Sequence, residues 1–246
     1  MSVLLNKIRK IRKQWQAFWA VNWIKTYYFN YKMFPRAIAR KLPVFIYGNY
    51  KLTNLGGQLI IDAPIRRAMV GFGHPFEAQT RSRGAGEVVI AGIFVVKGQV
   101  HFGKDVYFHV ANGARCEMGH FSCLGSQCIL ICKKEIVIGD YVRIAYQTQL
   151  LDSIFHQLID LKTGAKKPVS APITIGSYNW IGNRSTIMKG TRTNAYTIVG
   201  SNSLCNKDYS DLEEHVLIGG QPARLLQTQI TRDWEGEQHI LEGLIR

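Results

Sequence analysis

One histidine stands alone in a stretch that breaks the pattern around it. Between Leu150 and Ile173 the chain reads Leu151-Asp152-Ser-Ile-Phe-His156, then a polar run to Lys167-Pro168-Val-Ser-Ala-Pro172. An imidazole titrates near neutral pH, so a positioned histidine can take the proton of a hydroxyl, which is otherwise a poor nucleophile there. Asp152, four residues earlier, is a candidate to orient that ring through its second nitrogen or to hydrogen-bond an acceptor; it is equally suited to forming a turn. A lone loop histidine is also commonly packed or solvated, so His156 needs support from its context. The other histidines (74, 101, 109, 120, 215 and 239) give no converging zinc set. His101, His109 and His120 are close in sequence but precede the regular pattern. Five cysteines, at 116, 123, 128, 132 and 205, lack paired CxxC spacing and read as small buried thiols. An odd thiol count without a secretory apolar region points to a reducing cytosol.

A six-residue beat must position the histidine. Blocks open at Ile175, Ile181, Ile187, Thr193 and Val199, and glycine follows in three of them. Six fits neither the 3.6 of a helix nor the 2 of a plain strand; it fits a parallel β-helix in which each hexad makes one face and one corner. Ile138-Gly139, Ile144-Ala145 and Leu150-Leu151 keep the beat, whereas Phe102-Gly103, Met118-Gly119 and Leu124-Gly125 slip against one another. Coils of this kind cannot absorb residues 151–172, which must be extruded as a loop, where functional groups concentrate.

The rest of the chain divides around that solenoid. Residues 41–228 are expected to form it, with irregular strands at Leu42–Gly48 and Gly57–Asp62 capping its start and a turn at Arg81–Gly86. Residues 229–246 have helical spacing and are expected to cover the open end. Residues 1–40 form a basic, aromatic-rich helical extension. Eleven Lys and Arg residues precede Asp62, the first acid, and account for most of a formal charge of +14. Leu4, Ile8, Ile11, Trp15, Phe18 and Asn22 fall on one stripe, so residues 1–31 could lie on an anionic membrane or pack on the protein itself or on a neighbouring subunit. No apolar run is long enough to span a bilayer. Charge gathered at one end rather than along the fold speaks against nucleic acid as partner.

From Glu135 to Leu226 the chain resembles the hexapeptide-repeat acyltransferases, which include the galactoside, maltose and serine O-acetyltransferases. The resemblance rests on Ile138-Gly139-Asp140, the His156 loop, Lys167-Pro168-Val before Ile173-Thr-Ile-Gly176, Asn179-Trp180-Ile-Gly182, Asn206-Lys207-Asp208 and Gly219-Gly220-Gln-Pro222-Ala-Arg224. Asp152-Ser-Ile-Phe-His156 looks most like capsule- and lipopolysaccharide-modifying members. It implies an all-β, left-handed parallel β-helix that assembles as a homotrimer in the cytoplasm. It also implies transfer of an acetyl group from acetyl-CoA to a saccharide or glycan-precursor hydroxyl, with His156 as general base and no metal. The residues matching donor contacts are Asn183, Ser201, Asn206, Lys207 and Arg224, the last two placed for phosphates. Two departures stand out: Asn206 replaces the usual threonine, and Gln227 stands where a basic residue often follows Arg224. Trp180, beside a corner, could pack between subunits as readily as against a ligand, and a structural role is the favoured reading. Competing readings are N-acylation of a nucleotide-linked amino sugar, a γ-carbonic-anhydrase-like zinc enzyme and a non-catalytic scaffold.

Overall fold

The computed structural model describes residues 12, 15, 16, 18–77 and 80–243. Leu4, Ile8 and Ile11 of the expected amino-terminal stripe lie outside them. Twenty-one short strands wind into a three-sided prism. One side is a nine-stranded sheet: β1 (Val44–Ile46), β4 (Val70–Phe72), β7 (Val100–Phe102), β10 (Ser122–Leu124), β13 (Arg143–Ile144), β16 (Trp180–Ile181), β18 (Ile198–Val199), β20 (Leu217–Gly220) and β21 (Ala223–Gln227). The second has seven strands: β2 (Tyr50–Asn54), β5 (Gly86–Ile90), β8 (Tyr107–Val110), β11 (Ile129–Cys132), β14 (Gln149–Leu151), β17 (Thr186–Met188) and β19 (Leu204–Cys205). The third has five: β3 (Gln58–Ile61), β6 (Ile93–Val96), β9 (Arg115–Met118), β12 (Glu135–Ile138) and β15 (Ile173–Ile175). Successive coils pair in parallel, and the architecture is the left-handed β-helix.

Hexad geometry explains this shape. Ile175, Ile181, Ile187, Thr193 and Val199 are all buried, so each hexad-opening side chain points into the prism. Eighteen residues, three hexads, separate Trp180 from its register partner Ile198. Upstream, twenty-two residues separate Val100 from Ser122, and thirty separate Val70 from Val100. Longer strands and corners there carry the same coils, so the regular solenoid extends further toward the amino terminus than the beat implies. Phenylalanines fill the wider lumen, with Phe72 and Phe102 stacked at 4.4 Å and Phe94 and Phe108 at 4.7 Å. All five cysteines are buried. The three neighbouring histidines belong to these coils and leave on different sides: His101 on β7, His109 on β8 beside the Tyr107 hydroxyl, and His120 at a corner.

Both ends are closed by means the sequence pattern did not give. Helix α1 (Trp23–Met33) covers the first coil, followed by the short α2 (Arg36–Ala39). The Asn30 amide donates to Val44 O and its carbonyl accepts Val44 N–H, while Thr26 Oγ accepts Ile46 N–H. The unpaired edge of β1 is thereby satisfied, the task otherwise met by a further strand. Phe29 inserts into the core against Phe72. At the far end β21 folds back antiparallel on β20. Helix α3 (Trp234–Gly243) therefore does not cover that end, as its spacing suggested. It lies along one corner, where Trp234 meets Tyr178 edge-on at 5.8 Å.

Candidate active site

Between β14 and β15 the chain leaves the prism as a narrow finger. Ser153 pairs antiparallel with Ser170, and Ile159 with Lys166. Ile154 N–H donates to Val169 O at 3.0 Å, and Gln157 Nε2 donates to Lys167 O at 2.7 Å. At the root Phe155 adopts the left-handed region, φ +62°, its N–H donating to Ser153 Oγ at 3.1 Å. His156 N–H closes on Ile154 O at 2.7 Å. This tight turn projects the imidazole into solvent at the finger's base.

Asp152 is withdrawn from the orienting role considered for it. It is fully buried, and its carboxylate accepts the backbone N–H groups of Lys133, Lys134 and Glu135 at 2.7, 2.7 and 2.9 Å. Charge-assisted acceptors of this kind hold a turn that would otherwise bury unpaired donors. Asp152 thus locks the corner beneath the finger rather than touching the ring.

The donor-side residues fall into two groups. Asn206 and Lys207 follow β19, and Arg224 lies on β21; together with Gly220, Gln221, Pro222 and Ala223 they line a cavity of about 380 Å³. Lys207 and Arg224 are both exposed at it. Asn183 and Ser201 form a separate bonded pair, Ser201 Oγ to Asn183 Oδ1 at 2.7 Å. They follow β16 and β18 and so stand where the chain enters the seven-stranded sheet, whereas His156 and Lys207 stand where it leaves. The two groups flank the β14–β17–β19 face. The finger root and Lys207 share one edge, two strand spacings or roughly 10 Å apart.

That face has an apolar exterior. Ile129, Ile131, Leu151, Met188 and Leu204 point outward and are half-buried. Trp180 also points outward, on the neighbouring nine-stranded sheet, with the Arg232 guanidinium 5.7 Å from its ring centre. Two supports had no sequence signal. The buried Tyr209 donates its hydroxyl to Ala223 O at 3.1 Å, and Gln221 Nε2 reaches Asn202 O at 2.9 Å. Together they tie the cavity wall to the residues on either side of β19.

No protein-family model matches the chain. Its sequence is 27% identical over 164 residues to the galactoside O-acetyltransferase of Escherichia coli K12, covering 65% of this chain and 74% of that protein. Among solved structures, the polySia-specific acetyltransferase NeuO aligns with a TM-score of 0.49 and 19% identity, over 75% of this chain and 81% of that one. A maltose O-acetyltransferase from Clostridium difficile 630 aligns with a TM-score of 0.43 and 23% identity, over 56% and 71%. Hexads that bury their opening residue, a histidine finger and the match to a galactoside acetyltransferase agree with one another, and in these respects the chain is similar to the hexapeptide-repeat acyltransferases.

Proposed function

We propose that this protein moves an acetyl group from acetyl-CoA to a hydroxyl of a saccharide. The observation that supports this reading is the shared edge: the His156 finger root and Asn206–Lys207 both stand where the chain leaves the seven-stranded sheet, and Lys207 lines one cavity with Arg224. Lys207 and Arg224 hold the phosphates of the coenzyme, and Asn183 and Ser201 hydrogen-bond it from the opposite edge. His156 takes the hydroxyl proton as that oxygen bonds to the thioester carbonyl carbon. The carbon–sulfur bond breaks, and the imidazolium returns a proton to the departing thiolate, so charge and atoms balance without a metal.

The apolar exterior beside the site supports a homotrimer in which each finger reaches a neighbouring solenoid, because outward Ile131, Leu151 and Met188 gain from being covered. A cytoplasmic role in surface-glycan biosynthesis belongs to the same reading.

The test is release of free thiol from acetyl-CoA with a panel of mono- and oligosaccharides, alongside the effect of the coenzyme on thermal unfolding. A ligand selective for the folded state must raise the melting temperature. No shift at millimolar acetyl-CoA and no thiol release with any saccharide would overturn the reading. Release confined to amino sugars would replace it with N-acylation.

A further inference from the structure

Helix α1 turns Thr26, Asn30 and Phe29 inward and an apolar stripe outward. Thr26, Phe29 and Asn30 face the solenoid, two of them bonded to the edge of β1. On the opposite side Ile24, Tyr27, Tyr28 and Tyr31 recur at the i, i+3, i+4, i+7 spacing of one stripe. All four are exposed, Ile24 to 84%. A water-facing stripe of a globular helix is ordinarily polar, so this one is unpartnered.

The stripe continues into a larger patch. Trp15, Phe18 and Trp19 are exposed beside it. Ring centres run without a break from Trp15 to Trp19 at 6.4 Å, Trp19 to Phe18 at 5.5 Å, Phe18 to Trp23 at 5.0 Å and Trp23 to Tyr27 at 6.4 Å. Arg12, Lys32, Arg36, Arg40 and Lys41, in the same amino-terminal segment, are exposed as well. No acidic residue precedes Asp62.

We propose that this face docks on an anionic membrane surface and stands the solenoid end-on upon it. Tyrosine and tryptophan rings settle at the bilayer interface, where an apolar body and a polar tip both find partners. Lysine and arginine in the same segment are drawn to acidic headgroups. Charge decides between occupants. A second copy of this chain would bring an equally cationic face and repel, whereas acidic lipid complements it.

The orientation has a consequence for the site. Because α1 closes the first coil, the strands β2, β5, β8, β11 and β14 stack away from the membrane in that order. The base of the His156 finger then stands four strand spacings, roughly 20 Å, above β2. Helix α1 lies between β2 and the bilayer and adds about 10 Å, so an acceptor anchored in the same bilayer must extend roughly 30 Å, the reach of a lipid-linked oligosaccharide rather than of a single lipid-linked sugar. This consequence rests on the acyl-transfer reading; the docking itself does not.

The experiment sediments the full chain with vesicles of phosphatidylglycerol and phosphatidylcholine, and with phosphatidylcholine alone. Binding is expected to be about tenfold tighter to the anionic vesicles and to weaken as salt rises. The triple variant Ile24→Ser, Tyr28→Ser, Tyr31→Ser should lose about tenfold of that binding and keep its melting temperature, since none of the three faces the core. Its acetyl transfer to a water-soluble saccharide without lipid should be unchanged, which separates failure of docking from failure of the enzymatic reading. Equal binding by variant and wild type, or no binding by wild type, would overturn the proposal. So would lipid-independent self-association abolished by the triple variant, which would assign the face to a second copy.

Discussion

The carboxylate of Asp152 accepts the backbone N–H of Lys134 at 2.7 Å, across the corner from which the His156 finger departs. With Lys133 and Glu135 as further donors, one buried side chain satisfies three backbone groups of the preceding coil. Asp152→Ala should therefore cost about 2 kcal/mol of folding free energy, read by urea denaturation, because three part-buried donors lose their acceptor. Asp152→Asn should cost less, and neither variant should shift the pH dependence of turnover, which an orienting partner of His156 would.

His156→Ala is expected to reduce turnover by roughly a hundredfold or more, the usual contribution of a general base. The side chain is exposed, so stability and acetyl-CoA affinity should stay close to wild type. Parallel loss of coenzyme affinity and turnover, measured by titration calorimetry and thiol release, would reassign the residue to structure.

Lys207→Ala and Arg224→Ala should each weaken acetyl-CoA binding by roughly tenfold, the worth of one charge-assisted contact. Acetyl-pantetheine, which lacks the nucleotide phosphates, should be used equally well by wild type and variants. A comparable loss with both donors would mean that these cations shape the cavity rather than meet phosphate.

Acid should weaken the fold through His74. Its ring is packed against Tyr47 at 4.9 Å and His101 at 4.8 Å, and burial lowers its pKa from 6.5 to about 4. His101 is pushed the same way, first by burial and then by the positive charge that His74 and Arg143 bring. A ring held neutral in the native state takes its proton only on unfolding. Its contribution is thus complete above about pH 6.5 and lost as pH falls toward 4, worth roughly 3 kcal/mol for His74. Unfolding midpoints across that range should fall steeply for wild type and less for His74→Phe.

The ring of Tyr178 lies between those of Tyr141 at 5.0 Å and Tyr196 at 4.9 Å, while its backbone holds φ +57°. Substitution by alanine deletes both stacks and keeps the left-handed cost; glycine deletes the stacks and relieves it. Tyr178→Gly should therefore be about 1 kcal/mol more stable than Tyr178→Ala, the reverse of the order inside a helix or strand. Thermal unfolding of the two variants decides it.

The sequence alone determined the coil and the place where it breaks. A six-residue period survives in one dimension because each hexad contacts only its neighbours, so Ile175, Ile181 and Ile187 announce their burial directly. The extruded histidine was legible for the same reason, as an interruption of that count. Upstream the count fails, since coils of twenty-two and thirty residues keep three faces while varying their corners. Only the tertiary structure decided what Asp152 does, because its partners at 133–135 lie one coil away and carry no side-chain signal. It also decided which way α1 faces. Helical spacing marks two opposite stripes, and Thr26 and Asn30 turn inward only because β1 presents backbone groups that nothing else would satisfy.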